Sequence, residues 1–123
     1  MWEYRAKVLK VNDGDTLTLL IDQGFSSRQE EAIRLADVSA PELNEPGGYY
    51  SLMFTQDWIG RLRYYANWPI LVRTQPNSNP EPTERRSFVR YIGTIVSMAE
   101  PDLCLNADLR TYLAEHPEWG SGQ

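Results

Sequence analysis

The stretch WEYRAKVLKVNDGDTLTLLI, residues 2–21, decides the fold. Trp2, Tyr4, Ala6 and Val8 alternate with Glu3, Arg5, Lys7 and Leu9, the period-two pattern of a half-buried strand. Asn12-Asp13-Gly14-Asp15 then interrupts the run with strong turn chemistry. Thr16-Leu17-Thr18-Leu19-Leu20-Ile21 follows, rich in β-branched and aliphatic residues, so the two segments read as a β-hairpin.

Working outward, Gln23-Gly24-Phe25 and the polar run from Ser26 to Glu31 are expected to form a connection. Ala32 to Ala36 reads as a short third strand, ended by Ser39-Ala40-Pro41-Glu42, and Gly47-Gly48 closes the loop that begins near Pro41. From Tyr49 to Ala66 the period changes. Leu52, Thr55, Ile59, Leu62 and Ala66, with Trp58 and Tyr65 beside them, mark a helical face. Gly60 weakens that helix by about 1 kcal/mol. Ile70 to Arg73 is a fourth strand, and Gln75 to Glu84, with three Pro and two Asn, is a loop. Phe88 to Met98 is a fifth strand with a bend expected at Gly93, and Leu105, Leu109, Tyr112 and Leu113 make a last helix that Pro117 stops. These elements predict an α+β fold, an OB-type five-stranded Greek-key barrel with a helix after strand three and a C-terminal helix. A single domain is expected over residues 1–116, with a frayed tail at 117–123.

Four Trp, seven Tyr and three Phe supply enough bulk for a core and argue against disorder. Cys104 is the only cysteine and His116 the only histidine, so an internal disulfide is excluded and there is no zinc constellation and no Cys-His or Ser-His nucleophile pair worth defending. Cys104 reads as a small buried hydrophobe. Any metal chemistry has to use oxygen ligands. No apolar run is long enough to span a membrane, and no hydrophobic leader is visible, so a cytoplasmic protein is expected. The net charge of −5 speaks against electrostatic coating of nucleic acid. Its distribution is uneven: residues 1–50 hold five basic and nine acidic side chains, 51–100 six and four, and 101–123 one and four. A nucleic-acid substrate would therefore be gripped locally.

Taken singly, the candidate functional residues have ordinary explanations. Asp13-Gly14 is a common hairpin turn, Arg34 could be a surface charge or a partner of Asp37, Pro41-Glu42 could be a strand exit, and Arg90 is one arginine of several. Their order is more specific. Lys10-Val11-Asn12-Asp13-Gly14-Asp15-Thr16-Leu17, followed by Ile33-Arg34-Leu35 and Ala40-Pro41-Glu42, resembles the pattern of the staphylococcal-nuclease (thermonuclease) family. Ser51 to Thr55 is similar to that family's first helix, Phe88-Val89-Arg90 to its Tyr-Gly-Arg, and Leu105 to Leu109 to its Val-Asn-x-x-Leu helix opening. The likeness runs from about Tyr4 to Leu113.

That resemblance implies a calcium-dependent nuclease acting on DNA or RNA. Phosphodiester cleavage needs an activated water, counter-charge for five-coordinate phosphorus and a cation on a phosphoryl oxygen. By resemblance, Asp15 and the Ala40 carbonyl would hold Ca²⁺, with Asp13 and Thr16 behind them. Glu42 would position or deprotonate the water, and Arg34 and Arg90 would clamp the phosphate. The sequence departs from the pattern at Ser39, where the family carries a second metal-binding Asp. A lost carboxylate weakens Ca²⁺ binding by about an order of magnitude or more. Asp37, on the same face if the strand continues, could compensate. Ser87-Phe88 replaces a Lys-Tyr, and the chain is one helix shorter than the pattern. The rival expectation is a catalytically degenerate OB module that binds single-stranded nucleic acid, or a protein partner through its acidic ends. A structural role in a larger assembly is a third. Tyr49, Tyr50, Tyr64, Tyr65, Trp58 and Trp68 could stack on bases or simply pack. A monomer is expected.

Overall fold

The computed structural model of the protein describes residues 2–62, 67–74, 90–100 and 102–120. Its elements run β1 (Trp2–Asp13), β2 (Thr16–Gly24), β3 (Ser27–Leu35), α1 (Gly48–Gly60), β4 (Ile70–Thr74), β5 (Arg90–Ser97) and α2 (Leu105–Ala114). The strands close into a barrel in the order β1-β2-β3-β5-β4, antiparallel except for the parallel β3–β5 pair. This is an OB-like fold, as the sequence predicts. Among the described residues, no helix is long and apolar enough to cross a membrane.

Alternation builds the core. Leu17, Leu19 and Ile21 of β2, Ile33 and Leu35 of β3, Ile70 and Val72 of β4 and Ile95 of β5 all point inward. Leu105, Leu109 and Leu113, one helical turn apart on α2, are fully buried against them, and Trp58 and Leu62 enter from α1 and the turn after it. Each such side chain contributes about 1.5–3 kcal/mol through burial.

Several expectations need correction. Ser27 to Glu31 belong to β3, paired in register with β2, and are not a connection. Their side chains are exposed or half-buried, because this end of the β2–β3 ribbon has no layer covering it and so no apolar period to read. α1 starts at Gly48 and ends at Gly60, and its buried stripe is Ser51, Thr55 and Trp58, one step round from the expected Leu52 and Ile59. Tyr64, Tyr65 and Ala66, and Ser87 to Val89, lie outside the described residues. β5 runs through Gly93 without a register shift, so no bulge interrupts the ladder there. The glycine is a close-packing point, where a Cβ would stand 3.0 Å from the Arg73 carbonyl oxygen. Within the expected frayed tail, Pro117–Trp119 forms a 3₁₀ turn, and the Trp119 ring stacks on His116 at 4.1 Å. Cys104 is half-buried at the N-cap of α2.

The β2–β3 tip is strained. Phe25 and Ser26 both take left-handed backbone, at φ 51° and 63°, and Phe25 is fully exposed at 107 %. A two-residue turn with both centres at positive φ favours Asn-Gly, whereas a bulky residue there costs about 1–2 kcal/mol. The double substitution Phe25→Asn, Ser26→Gly should therefore raise stability by about 1–2 kcal/mol. Urea unfolding with an unchanged m-value would register it as a higher midpoint.

Candidate functional site

The tip of the β1–β2 hairpin is Gly14-Asp15, flanked by the paired residues Asp13 and Thr16. Unlike most hairpin tips it is buried, because α1 lies across it. The Thr55 hydroxyl donates to the Gly14 carbonyl at 2.7 Å. A Cβ at Gly14 would stand 2.7 Å from the Ser51 Cβ and 3.0 Å from the Ala40 Cβ, so only glycine lets helix, turn and loop meet here. The small polar stripe on α1 thus has a purpose that hydrophobic periodicity cannot reveal.

Asp15 is the centre of the arrangement. It is 7 % exposed, and both carboxylate oxygens are engaged. Oδ2 accepts from the Ala40 backbone N–H at 3.0 Å, and Oδ1 accepts from the Thr16 hydroxyl at 3.2 Å. Its backbone carbonyl accepts from Leu35 N–H at 2.8 Å. The Arg34 Nη2 lies 3.8 Å from Oδ2, close enough to pair in charge but too far for a hydrogen bond. Arg34 sits on β3 between the inward-facing Ile33 and Leu35, so its side chain faces out of the barrel and is half-buried. Its register partners are Thr16 and Ile92.

Asp13 supports Asp15 from behind, accepting from the Asp15 N–H at 3.3 Å. Burial, first, and then the neighbouring Asp15 carboxyl push its pKa up from 3.8 to about 6.

The loop after β3 is held by α2. Asn106 is buried, accepts from Ile95 N–H at 3.0 Å and donates to the carbonyls of Ala36 at 3.0 Å and Gly93 at 3.1 Å. Arg110 Nε donates to the Asp37 carbonyl at 3.1 Å. Asp37 itself turns left-handed, at φ 60°, two residues after β3 ends. The strand does not continue, so the premise on which Asp37 could replace the missing carboxylate fails. Ser39 is exposed, and it shares an open cleft with Arg34, Asp37 and Ile92.

The structure therefore gathers Asp13, Asp15, Thr16, Arg34 and Ala40 into one knot, with Ser39 at its rim. Glu42 lies two residues beyond Ala40, exposed, and its carboxylate has no hydrogen-bond partner among the described residues. Arg90 opens β5 with its backbone paired to Ala32, two residues before the partner of Arg34, and its side chain is outside the described residues. Sequence reasoning missed Ser51, Thr55, Asn106 and Arg110 as the residues that position this corner. Ser51, Thr55 and Asn106 left a trace, inside quoted motifs and, for Thr55, on the expected helical face, but without this role; Arg110 left none.

The chain matches no protein-family model, and comparison with curated proteins returns no match. The site has to be judged on its own donors. These are oxygens throughout, which suits a hard cation, and the crowding of Asp13 against Asp15 is negative charge that a cation would relieve. The charge count is low: Ser39 is neutral, and no three His, Cys, Asp or Glu side chains converge among the described residues. An all-oxygen set with so few charges would hold a hard cation only weakly.

The raised pKa of Asp13 has a testable consequence. The unfolded chain releases this proton near 3.8 and the folded chain near 6, so its contribution to stability is full below 3.8 and is lost as pH rises through 6. Asp13→Asn should remove that loss, making the metal-free protein more stable at neutral pH and flattening its stability between pH 4 and 6. Thermal melts in chelator across that range would measure it.

Proposed function

We propose that the protein hydrolyses phosphodiester bonds of DNA or RNA, with a weakly bound Ca²⁺. One observation carries this reading: the outward-facing guanidinium of Arg34 lines an open cleft beside Ser39 and stands 3.8 Å from the buried carboxylate of Asp15. Phosphate recognition needs a fixed, always-charged fork, and Arg34 keeps its donors free of hydrogen bonds to Asp15.

In this reading Arg34, with Arg90, binds the phosphate and opposes the charge that builds on it. Glu42 orients the attacking water and takes its proton. Asp15, the Ser39 hydroxyl and the Ala40 carbonyl would hold the cation, which when bound polarises a phosphoryl oxygen. With one carboxylate in that set, the protein by itself would supply few ligands and little charge to a cation. The acidic total of −5 leaves grip on the polymer to these local contacts.

A second reading also has an observation behind it. Both Asp15 oxygens already accept hydrogen bonds within the protein, and Ser39 adds no charge, which suits an OB module that binds single-stranded nucleic acid without cutting it.

Cleavage of labelled single-stranded DNA and RNA, with calcium titrated from micromolar to tens of millimolar, separates the two. Glu42→Gln should lower the calcium-dependent rate by about a hundred- to ten-thousand-fold without changing the melting temperature. Ser39→Asp should lower the calcium needed for half-maximal rate by about tenfold. A well-folded protein that cuts neither polymer at any calcium level would leave the binding module as the answer.

A further inference from the structure

We propose, resting on the hydrolytic reading above, that Glu45 is the positioning residue that fixes Glu42. Both backbone polar groups of Glu42 are bound by this one residue. The Glu42 N–H donates to Glu45 Oε1 at 2.8 Å, and the Glu42 carbonyl accepts from the Glu45 N–H at 2.9 Å. The Glu45 carbonyl in turn accepts from Gly48 N–H at 3.0 Å, which ties the turn to the first residue of α1.

The turn is closed from outside as well. A Cβ on Gly48 would collide with the Glu42 carbonyl, and a Cβ on Gly47 would collide with the Trp119 indole. Gly47 is left-handed, at φ 83°, and its carbonyl accepts from both the N–H and the hydroxyl of Ser51, at 2.9 and 2.8 Å. On its other side Glu42 follows Pro41, which is buried and has its φ locked by the ring. The backbone of Glu42 is thus immobilised on both sides, and side-chain torsions are its remaining freedom.

Glu45 is itself exposed and adds nothing to the core, so its bond to Glu42 is separable from folding. The bond needs an acceptor oxygen and not a charge, because the donor is a neutral amide. Alanine removes the acceptor. Glutamine keeps it.

The test uses the full chain, labelled single-stranded DNA and saturating calcium, with circular dichroism verifying the fold. Glu45→Ala should lower kcat by about ten- to a hundredfold with KM unchanged, because a displaced base loses rate without losing substrate affinity. Glu45→Gln should restore most of the loss. Equal losses in the two variants, a rise in KM at constant kcat, or an unchanged rate in Glu45→Ala would each overturn the role of Glu45. If Glu42→Gln cuts as well as the wild type, the hydrolytic reading of Glu42 falls first, and this proposal with it. Dependence on Glu42 with indifference to Glu45→Ala would sink the positioning role alone.

Discussion

The buried Gly14-Asp15 turn is the constraint on which the rest of the structure depends. A hairpin tip ordinarily sits in water, where its backbone groups need no partners. Here α1 covers it, and each polar group has to be satisfied from within the protein. Thr55 meets the Gly14 carbonyl, Leu35 the Asp15 carbonyl, and Ala40 and Thr16 the Asp15 carboxylate. Those partners come from α1, β3, the loop after β3, and β2. A single buried turn therefore registers four separate segments against one another, including the loop that leads to Glu42.

Asn106 does comparable work from the other side. One amide bridges α2 to β5 and to the exit of β3, and Arg110, one turn later, takes the Asp37 carbonyl. The left-handed turn at Asp37 reverses the chain so that Ala40 can reach Asp15. Buried amide networks of this kind are costly when partly satisfied and specifying when complete. The same turn ends the strand geometry that would have put Asp37 on the face of Ser39, although Asp37 still lines the cleft with Arg34 and Ser39.

The electrostatics of the corner follow from that crowding. Burial of Asp13, and after it the neighbouring Asp15 carboxylate, raise the proton affinity of Asp13. Arg34 offsets part of this charge at 3.8 Å without neutralising it through a hydrogen bond. Such a corner accepts positive charge readily, while its neutral Ser39 limits how tightly. The aromatic cluster of Tyr50, Tyr112, His116 and Trp119 closes the far side of the loop; of the aromatics with a possible base-stacking role, Tyr50 stacks on Trp119 and Trp58 is buried in the core.

The order and type of the elements were legible in the chain, because period-two and helical patterns are local and each strand of the barrel is covered on one face. The alternation of Leu17, Leu19 and Ile21, the turn at Gly14 and the leucine spacing of α2 all translate directly into the barrel core. Ser27 to Glu31 escaped notice because an uncovered ribbon has no inside face to mark. On α1 Thr55, Trp58 and the following Leu62 are buried as expected, and Ser51 escaped because close approach to a turn selects it for size, against the hydrophobic pattern. The candidate residues Asp13, Asp15, Thr16, Arg34 and Ala40 could be named from their order. That they touch, that the backbone turns left-handed at Asp37, and that Glu45 grips Glu42 are matters of backbone direction in loops, where side-chain identity carries no period. By itself the sequence determined which elements form and which chemical groups are available. Only the tertiary structure decided which of those groups meet, because long-range hydrogen bonds and left-handed turns set the distances between them.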